Sequence, residues 1–215
     1  MTEGHVPGIL AIWNDVAPGR EADFDAWFQG EHLVERLGVP GFRFGRRHEA
    51  VFGAPRFFVF YVTDGPEVLT SKPYLERLDN PTPMTRMIMS EVFKNMNRTL
   101  CRRVARRGDF RGSHAVTVRF NEAVDEAALT RRMDELAKDH AVAAAELWIA
   151  ADAGAPVSME EKLRGGDKKI KACLMVDTLR QQPAEALGAR LAKDFPQAEV
   201  GVYRVLCQLG QGMGM

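Results

Sequence analysis

Apolar positions along this chain follow two spacings, and the alternation between them outlines the elements. "GILAIWN" (Gly8 to Asn14) is a short unbroken apolar run and predicts a buried strand. In the segment after it, Phe24, Trp27, Phe28, Val34 and Leu37 recur at near-helical spacing. Glu21, Asp23 and Asp25 crowd its first turns and Gly38 follows it, as expected of a helix and its stop. "FRFGRRHEA" alternates bulky and polar positions and predicts a strand; "FGAP" then turns the chain into the aromatic, β-branched strand "RFFVFYV". "TDGPEVLTSKPYLERLDN" predicts a loop or short helical piece. A helix starts in "NPTPMTRMIMSEVF", where Thr82 suits the N-cap and Pro83 the first helical position. "RTLCRRVA" is assigned as a strand, although Leu100 and Val104 also fit a continued helix.

From Ser113 the order recurs. "HAVTVRF" predicts a strand, and Val124, Ala128, Leu129, Met133 and Leu136 then mark one face of a helix. Strands follow at "VAAAELWIAAD" and "KKIKACLMVD", a helix at "QPAEALGARLAKDF" and a last strand at "AEVGVYRVLCQL". Each half reads β-α-β-β-α-β, the ferredoxin-like order, in element pattern rather than letter by letter. The expected class is α+β: two tandem ferredoxin-like repeats, residues 1–107 and 108–209, joined near "RRGDFRG", with a Gly/Met tail at 210–215. Strands this apolar need cover on both faces, so the two antiparallel sheets are expected to form an α/β barrel within one chain.

The strand "ILAIWN", the segment "FDAWFQGEHLVERLGVPGFRFGRRHEA" and the strand "RFFVFYV" together resemble the dimeric α/β-barrel superfamily. A tryptophan and a histidine on the first helix, a "PGF" turn and an arginine-bearing strand resemble its EthD-like and stress-responsive members. The second half matches by element order only, with no histidine equivalent to His32 and no "PGF" turn. The superfamily includes haem peroxidases, cofactor-independent monooxygenases, isomerases and cyclases, so the fold leaves the chemistry open.

Composition narrows the partners. Twenty-nine basic and 29 acidic residues give zero formal charge over 215 residues, which argues against duplex nucleic acid or an anionic membrane as the main partner. No apolar run approaches the roughly 20 residues of a membrane span. The N-terminus lacks a signal-peptide pattern, and Cys101, Cys173 and Cys207 sit far apart in apolar segments, which fits free thiols in the cytoplasm. A small-molecule ligand, with the chain as monomer or homodimer, is the expected setting.

His32 shares a helix face with Phe28 and Arg36 and is the candidate general acid or base, since imidazole titrates near neutrality. In EthD-like relatives a histidine on this helix lines a cavity between sheet and helix; the structural alternative is a buried histidine bonded to backbone. Arg46, by strand parity on the face of Phe42, Phe44 and His48, is the second catalytic candidate, as holder of an anion or enolate. An internal pair with Glu31 or Glu35 is its alternative. Arg47 then points the other way, to solvent or a helix carboxylate. Asn14 and Tyr61, near strand ends, are candidate ligand-binding groups, or else they satisfy loop backbone. Trp27 joins them as a substrate-binding candidate on the helix of His32, although it and Trp13 also suit core packing.

The run of Arg98, Arg102, Arg103, Arg106, Arg107 and Arg111 has only Phe110 for an aromatic and no net basic domain around it, and reads as a charged edge strand that discourages aggregation. His5, His32, His48, His114 and His140 show no metal-ligand spacing, so no metal and no cofactor are expected; haem lacks an evident axial ligand. "GQGMG" is followed by no helix and reads as a flexible tail. "SMEEKLRGGDK" carries a capping box at Ser158 and Glu161 and predicts a short helix in a long connection that could act as a lid or merely as a solubilising excursion. Two functions stay open: a cofactor-independent enzyme acting on a small carbonyl or phenolic compound, and a non-catalytic ligand-binding or protein-interaction module; haem binding is a third reading, decided by a Soret band on reconstitution.

Overall fold

The computed structural model describes residues 6–151, 154 and 156–211. The first half runs β1 (Gly8–Val16), α1 (Glu21–Trp27), a π-helical turn (Phe28–His32), α2 (Leu33–Leu37), β2 (Phe42–Phe52) and β3 (Phe57–Thr63). A 3-10 turn (Pro66–Thr70), α3 (Lys72–Asp79), α4 (Pro83–Met87) and a second π-helical turn (Ile88–Val92) lead into β4 (Phe93–Arg107). The second half runs β5 (His114–Phe120), α5 (Glu126–Leu136), β6 (Val142–Ala150), α6 (Met159–Arg164), β7 (Ala172–Thr178), α7 (Gln181–Asp194) and β8 (Glu199–Gly210). The caps expected from sequence form: the Thr82 hydroxyl accepts from the Thr85 amide at 3.0 Å, and the Ser158 hydroxyl from Glu161 at 3.2 Å.

The eight strands close into an antiparallel barrel in the order β1-β3-β2-β8-β5-β7-β6-β4. Within each half the order is that of a ferredoxin-like sheet, and the halves join at two seams, β2 with β8 and β4 with β6. Both seams lie within the chain, so no partner is needed to close the barrel. Closure also leaves no exposed sheet edge, which corrects the reading of β4 as an arginine-rich edge strand: Arg98 is buried, Arg103 and Arg106 join the ion network around Glu146, and Arg102 and Arg107 form half-exposed pairs with Glu126 and Asp134. Of the tail, Gly210 still pairs with Phe44 at the end of β8 and Gln211 donates to the Arg43 carbonyl. Residues 212–215 lie outside the described residues.

Side chains form three cores. One lies between the first-half helices and the outer face of their strands, around Phe24, Trp27, Phe28, Phe42 and Tyr61. A second does the same for the other half with purely apolar residues such as Val116, Leu129, Met133, Leu147 and Leu187. The third fills the barrel lumen, where Trp13 stacks on Phe58 at 4.9 Å and Phe60, Trp148, Met175 and Tyr203 complete the plug. Cys101 and Cys173 belong to this plug; burial pushes the Cys101 thiol up to about 12 and Cys173 well above its ordinary value. Cys207 is half-buried against the first core.

One end of the lumen is charged. Glu146, fully buried on β6, lies 2.8 Å from Arg111, 2.9 Å from Arg106 and 3.4 Å from Arg103, and accepts the Trp148 indole N–H at 2.8 Å. Asp177 on β7 pairs with Arg46 at 2.9 Å and Arg111 at 3.2 Å. Burial works to raise the Glu146 carboxyl, yet Arg111, Arg103 and Arg106 together hold it below its ordinary value. This network ties the two halves and the linker together, because Arg46 also donates to the Gly112 carbonyl.

Candidate functional site

Helix α1 meets the outer face of β1 and β3, and the side chains there enclose a small cavity. Asn14 comes from β1, Tyr61 from β3, and Trp27 and His32 from the first helical segment. About 30 Å³ of it is open to the centre of a water molecule, room for roughly two waters. Helix α1 is held from behind. The Trp27 indole donates to the Thr85 hydroxyl at 2.9 Å, and Glu31 accepts from Thr82 at 2.6 Å and Thr85 at 2.8 Å, so α1 is pinned to the start of α4. Glu31 is thereby committed, and Glu35 faces Arg77 at 3.0 Å.

The π-helical turn sets the position of His32. Its wider i→i+5 spacing lays the imidazole over Trp27, five residues earlier, with ring centroids 4.0 Å apart and planes at 29°. Tyr61 meets the same imidazole edge-on at 6.2 Å. Gly45 on β2 makes room for this packing: a Cβ there would come within 2.6 Å of Leu33 and 2.8 Å of the Tyr61 ring.

Four polar groups lining the cavity carry a buried atom with no hydrogen-bond partner: Asn14 Oδ1, His32 Nδ1, Arg36 Nη1 and Tyr61 Oη. Buried polar atoms are rarely left so, and here four converge on one space. The surroundings hold three buried guanidinium groups against two carboxylates. Arg36 pairs with Glu160 at 2.5 Å, Arg164 with Asp167 at 2.6 Å, and Arg98 donates to the Tyr74 hydroxyl at 2.7 Å. Burial, reinforced by the charges of Arg36, Arg164 and Arg98, holds His32 well below the ordinary histidine range. Burial likewise pushes the Tyr61 phenol up, against the pull of Arg36. At neutral pH the cavity thus holds a neutral imidazole, a neutral phenol and guanidinium groups, a setting that favours an anion formed beside the imidazole.

Arg46 lies elsewhere. A bulge between Phe42 and Phe44 reverses the parity of β2, so that Phe42 packs under the helices while Phe44, Arg46 and His48 face the lumen. The expected common face with Phe42 is therefore corrected, and Arg46 is separated from His32 by the sheet. Its carboxylate partner is Asp177, not Glu31 or Glu35. Arg47 takes the helix side, 2.8 Å from Asp25 and 3.8 Å from the centre of the Phe24 ring.

Sequence reasoning missed Arg36, Arg98, Glu160 and Arg164 as cavity residues. Glu160 and Arg164 arrive on α6, whose Met159 amide caps onto Asp79; the capping box at Ser158 was their only signal. Residues 152, 153 and 155 of that connection lie outside the described residues.

His48 is the second deeply buried histidine, stacked on Phe58 at 4.9 Å with Nδ1 at 3.1 Å from the Phe58 carbonyl. Burial first, then the Arg46 charge, holds it well below the ordinary range. Below about pH 6.5 the unfolded chain therefore takes up protons at both histidines that the folded protein refuses. Stability is complete above that pH and declines as pH falls toward the two folded values, by up to about 1.4 kcal/mol per pH unit for each histidine. Glu35 and Asp177, raised by burial, act in the opposite direction only over the lower, carboxylate range. A urea midpoint that drops steeply just below pH 6.5, with a shallower drop in His48→Leu, is the expected result; a flat profile there contradicts it.

The sequence matches no protein-family model and no curated protein. The fold, in contrast, is shared over nearly the whole chain. An anthrone oxidase-like protein superposes with a TM-score of 0.63 at 12% identity, covering 99% of this chain and 96% of its own. A provisionally assigned monooxygenase from Fusobacterium nucleatum gives 0.60 at 8% identity over 96% and 95%. A haem-binding protein from Thermus thermophilus gives 0.51 at 11% identity over 94% and 92%. The chain thus has the closed, two-repeat ferredoxin-like architecture of the dimeric α/β-barrel proteins.

Haem does not fit the residues present. The first-half cavity is far smaller than a porphyrin, the corresponding face of the second half is packed with apolar side chains such as Phe120, Leu129 and Met133, and among the described residues of that half no histidine is buried. Among the described residues no group of three or more His, Cys, Asp or Glu could hold a metal ion, and no helix is long and apolar enough to cross a membrane.

Proposed function

We propose that the cavity is a cofactor-independent proton-transfer site for a small aromatic carbonyl or phenolic compound. The convergence of unpartnered Asn14, His32 and Tyr61 atoms on one aromatic-walled, arginine-rich space carries this reading. His32, neutral at physiological pH, removes a proton from carbon or oxygen; Asn14 and Tyr61 orient the substrate oxygen; Arg36 stabilises the enolate or phenolate. Trp27 supplies the stacking surface. Arg46, across the sheet, has a supporting role through its lumen network.

The names carried by the anthrone oxidase-like and monooxygenase neighbours favour dioxygen as the next reactant over simple reprotonation. In that case a methylene becomes a carbonyl, one atom of O₂ enters the product and the other leaves as water, so no external reductant is required. Occupancy needs the walls to yield beyond the space of two waters, and the flexible Met89 and Met96 side chains on the cavity wall can do so. The test uses 2-tetralone, an enolisable aromatic ketone, in D₂O. Protein-dependent deuterium uptake at the acidic methylene is the expected result, with oxygen consumption if dioxygen follows. Binding without any uptake contradicts proton transfer and makes the site a ligand-holding module.

A further inference from the structure

Arg98 is a buried guanidinium with no ion pair of its own: the carboxylates that act on it, Asp167 and Glu160, are already engaged by Arg164 and Arg36. Arg36 and Arg164 each have a carboxylate, but among the described residues no Asp or Glu forms an ion pair with Arg98, and its side chain has only the neutral Tyr74 hydroxyl. It also stands at a junction. Arg98 lines the inner cavity and, on its other side, a groove of about 700 Å³ that opens to solvent. Leu75, Leu78, Val124 and Ile149 give that groove apolar walls. Lys169 and Lys171 face it as well, against Glu126 and Glu161. Glu126 is engaged by Arg102 at 2.9 Å, and Glu161 sits 3.8 Å from Lys169.

Leaving a buried charge unpaired is costly unless a ligand supplies the partner. We propose that the site takes an aromatic acid: the ring lies in the cavity beside Trp27 and His32, and a permanent carboxylate, reached from the groove, rests on Arg98. This deepens the reading of the cavity as a substrate site and rests on it. The carboxylate is distinct from the enolate or phenolate formed during reaction, which faces Arg36. Its fixed charge explains why a third arginine is buried where two are already matched by carboxylates.

The experiment compares 2-naphthoate with methyl 2-naphthoate, its uncharged ester, by titration against tryptophan fluorescence. The expected result is that the carboxylate binds about tenfold tighter or more, the range of a charge-assisted hydrogen bond. In Arg98→Gln the two should bind alike, and in Arg98→Lys, which keeps the charge, the preference should persist. Equal binding of acid and ester to the wild-type protein overturns the proposal, as does a preference that survives in Arg98→Gln. Equal binding together with deuterium uptake by 2-tetralone removes the anion subsite alone. Failure of both probes to bind, with no uptake, removes the cavity reading and this one with it.

Discussion

Glu146→Ala is expected to lower the unfolding temperature by roughly 6–20 °C. Glu146 is inaccessible to water and faces three guanidinium groups, which are only 17–25% exposed. With the carboxylate gone, Arg103, Arg106 and Arg111 repel one another in a poorly solvated space, and the Trp148 indole loses its acceptor. Breaking a buried ion pair from one side costs about 3–5 kcal/mol, against a typical total stability of about 5–15 kcal/mol. Glu146→Gln retains an acceptor for Trp148 and should fall between the alanine variant and the wild type. Thermal unfolding followed by circular dichroism measures all three, and an alanine variant that melts with the wild type would show the network to be dispensable.

The second large effect belongs to His32. Replacing it by phenylalanine keeps a ring stacked on Trp27 and removes the only imidazole that lines the cavity among the described residues. Deuterium uptake by 2-tetralone should fall by about 10² to 10⁴, the range of general-base catalysis, while the melting temperature stays close to that of the wild type. The fold tolerates this change because the lost group is neutral and its Nδ1 has no partner to orphan. Uptake that persists at the wild-type rate would remove His32 from the chemistry. A collapse in stability, in turn, would make the imidazole a packing group.

The barrel was legible because its strands and helices follow clean periods: the run at Gly8–Asn14, the alternation in β3 and the stripe on α5 each matched one template. The grouping of Asn14, Trp27, His32 and Tyr61 was also legible, since β1, β3 and the first helix of a ferredoxin-like repeat must pack together. Arg46 failed for a local reason. One extra residue at the Phe42–Phe44 bulge inverts the parity of all that follows, and no period in the sequence marks it. The arginine run failed for a global reason: a strand that looks like a charged edge becomes interior once β4 pairs with β6. Glu160 and Arg164 were out of reach because Glu160 meets Arg36 from 124 positions away, a contact that only the completed barrel creates.

The most direct test of the central claim is a pH titration of the imidazole ¹⁵N signals in histidine-labelled protein, without and with 2-naphthoate, using His32→Phe to assign the resonance. His32 should remain a neutral imidazole throughout the neutral range and down toward acid unfolding, and its Nδ1 signal should move when the aromatic acid binds. A His32 that is already protonated at neutral pH, or a Nδ1 signal that ignores a bound aromatic acid, would contradict the account of this cavity as a proton-transfer site.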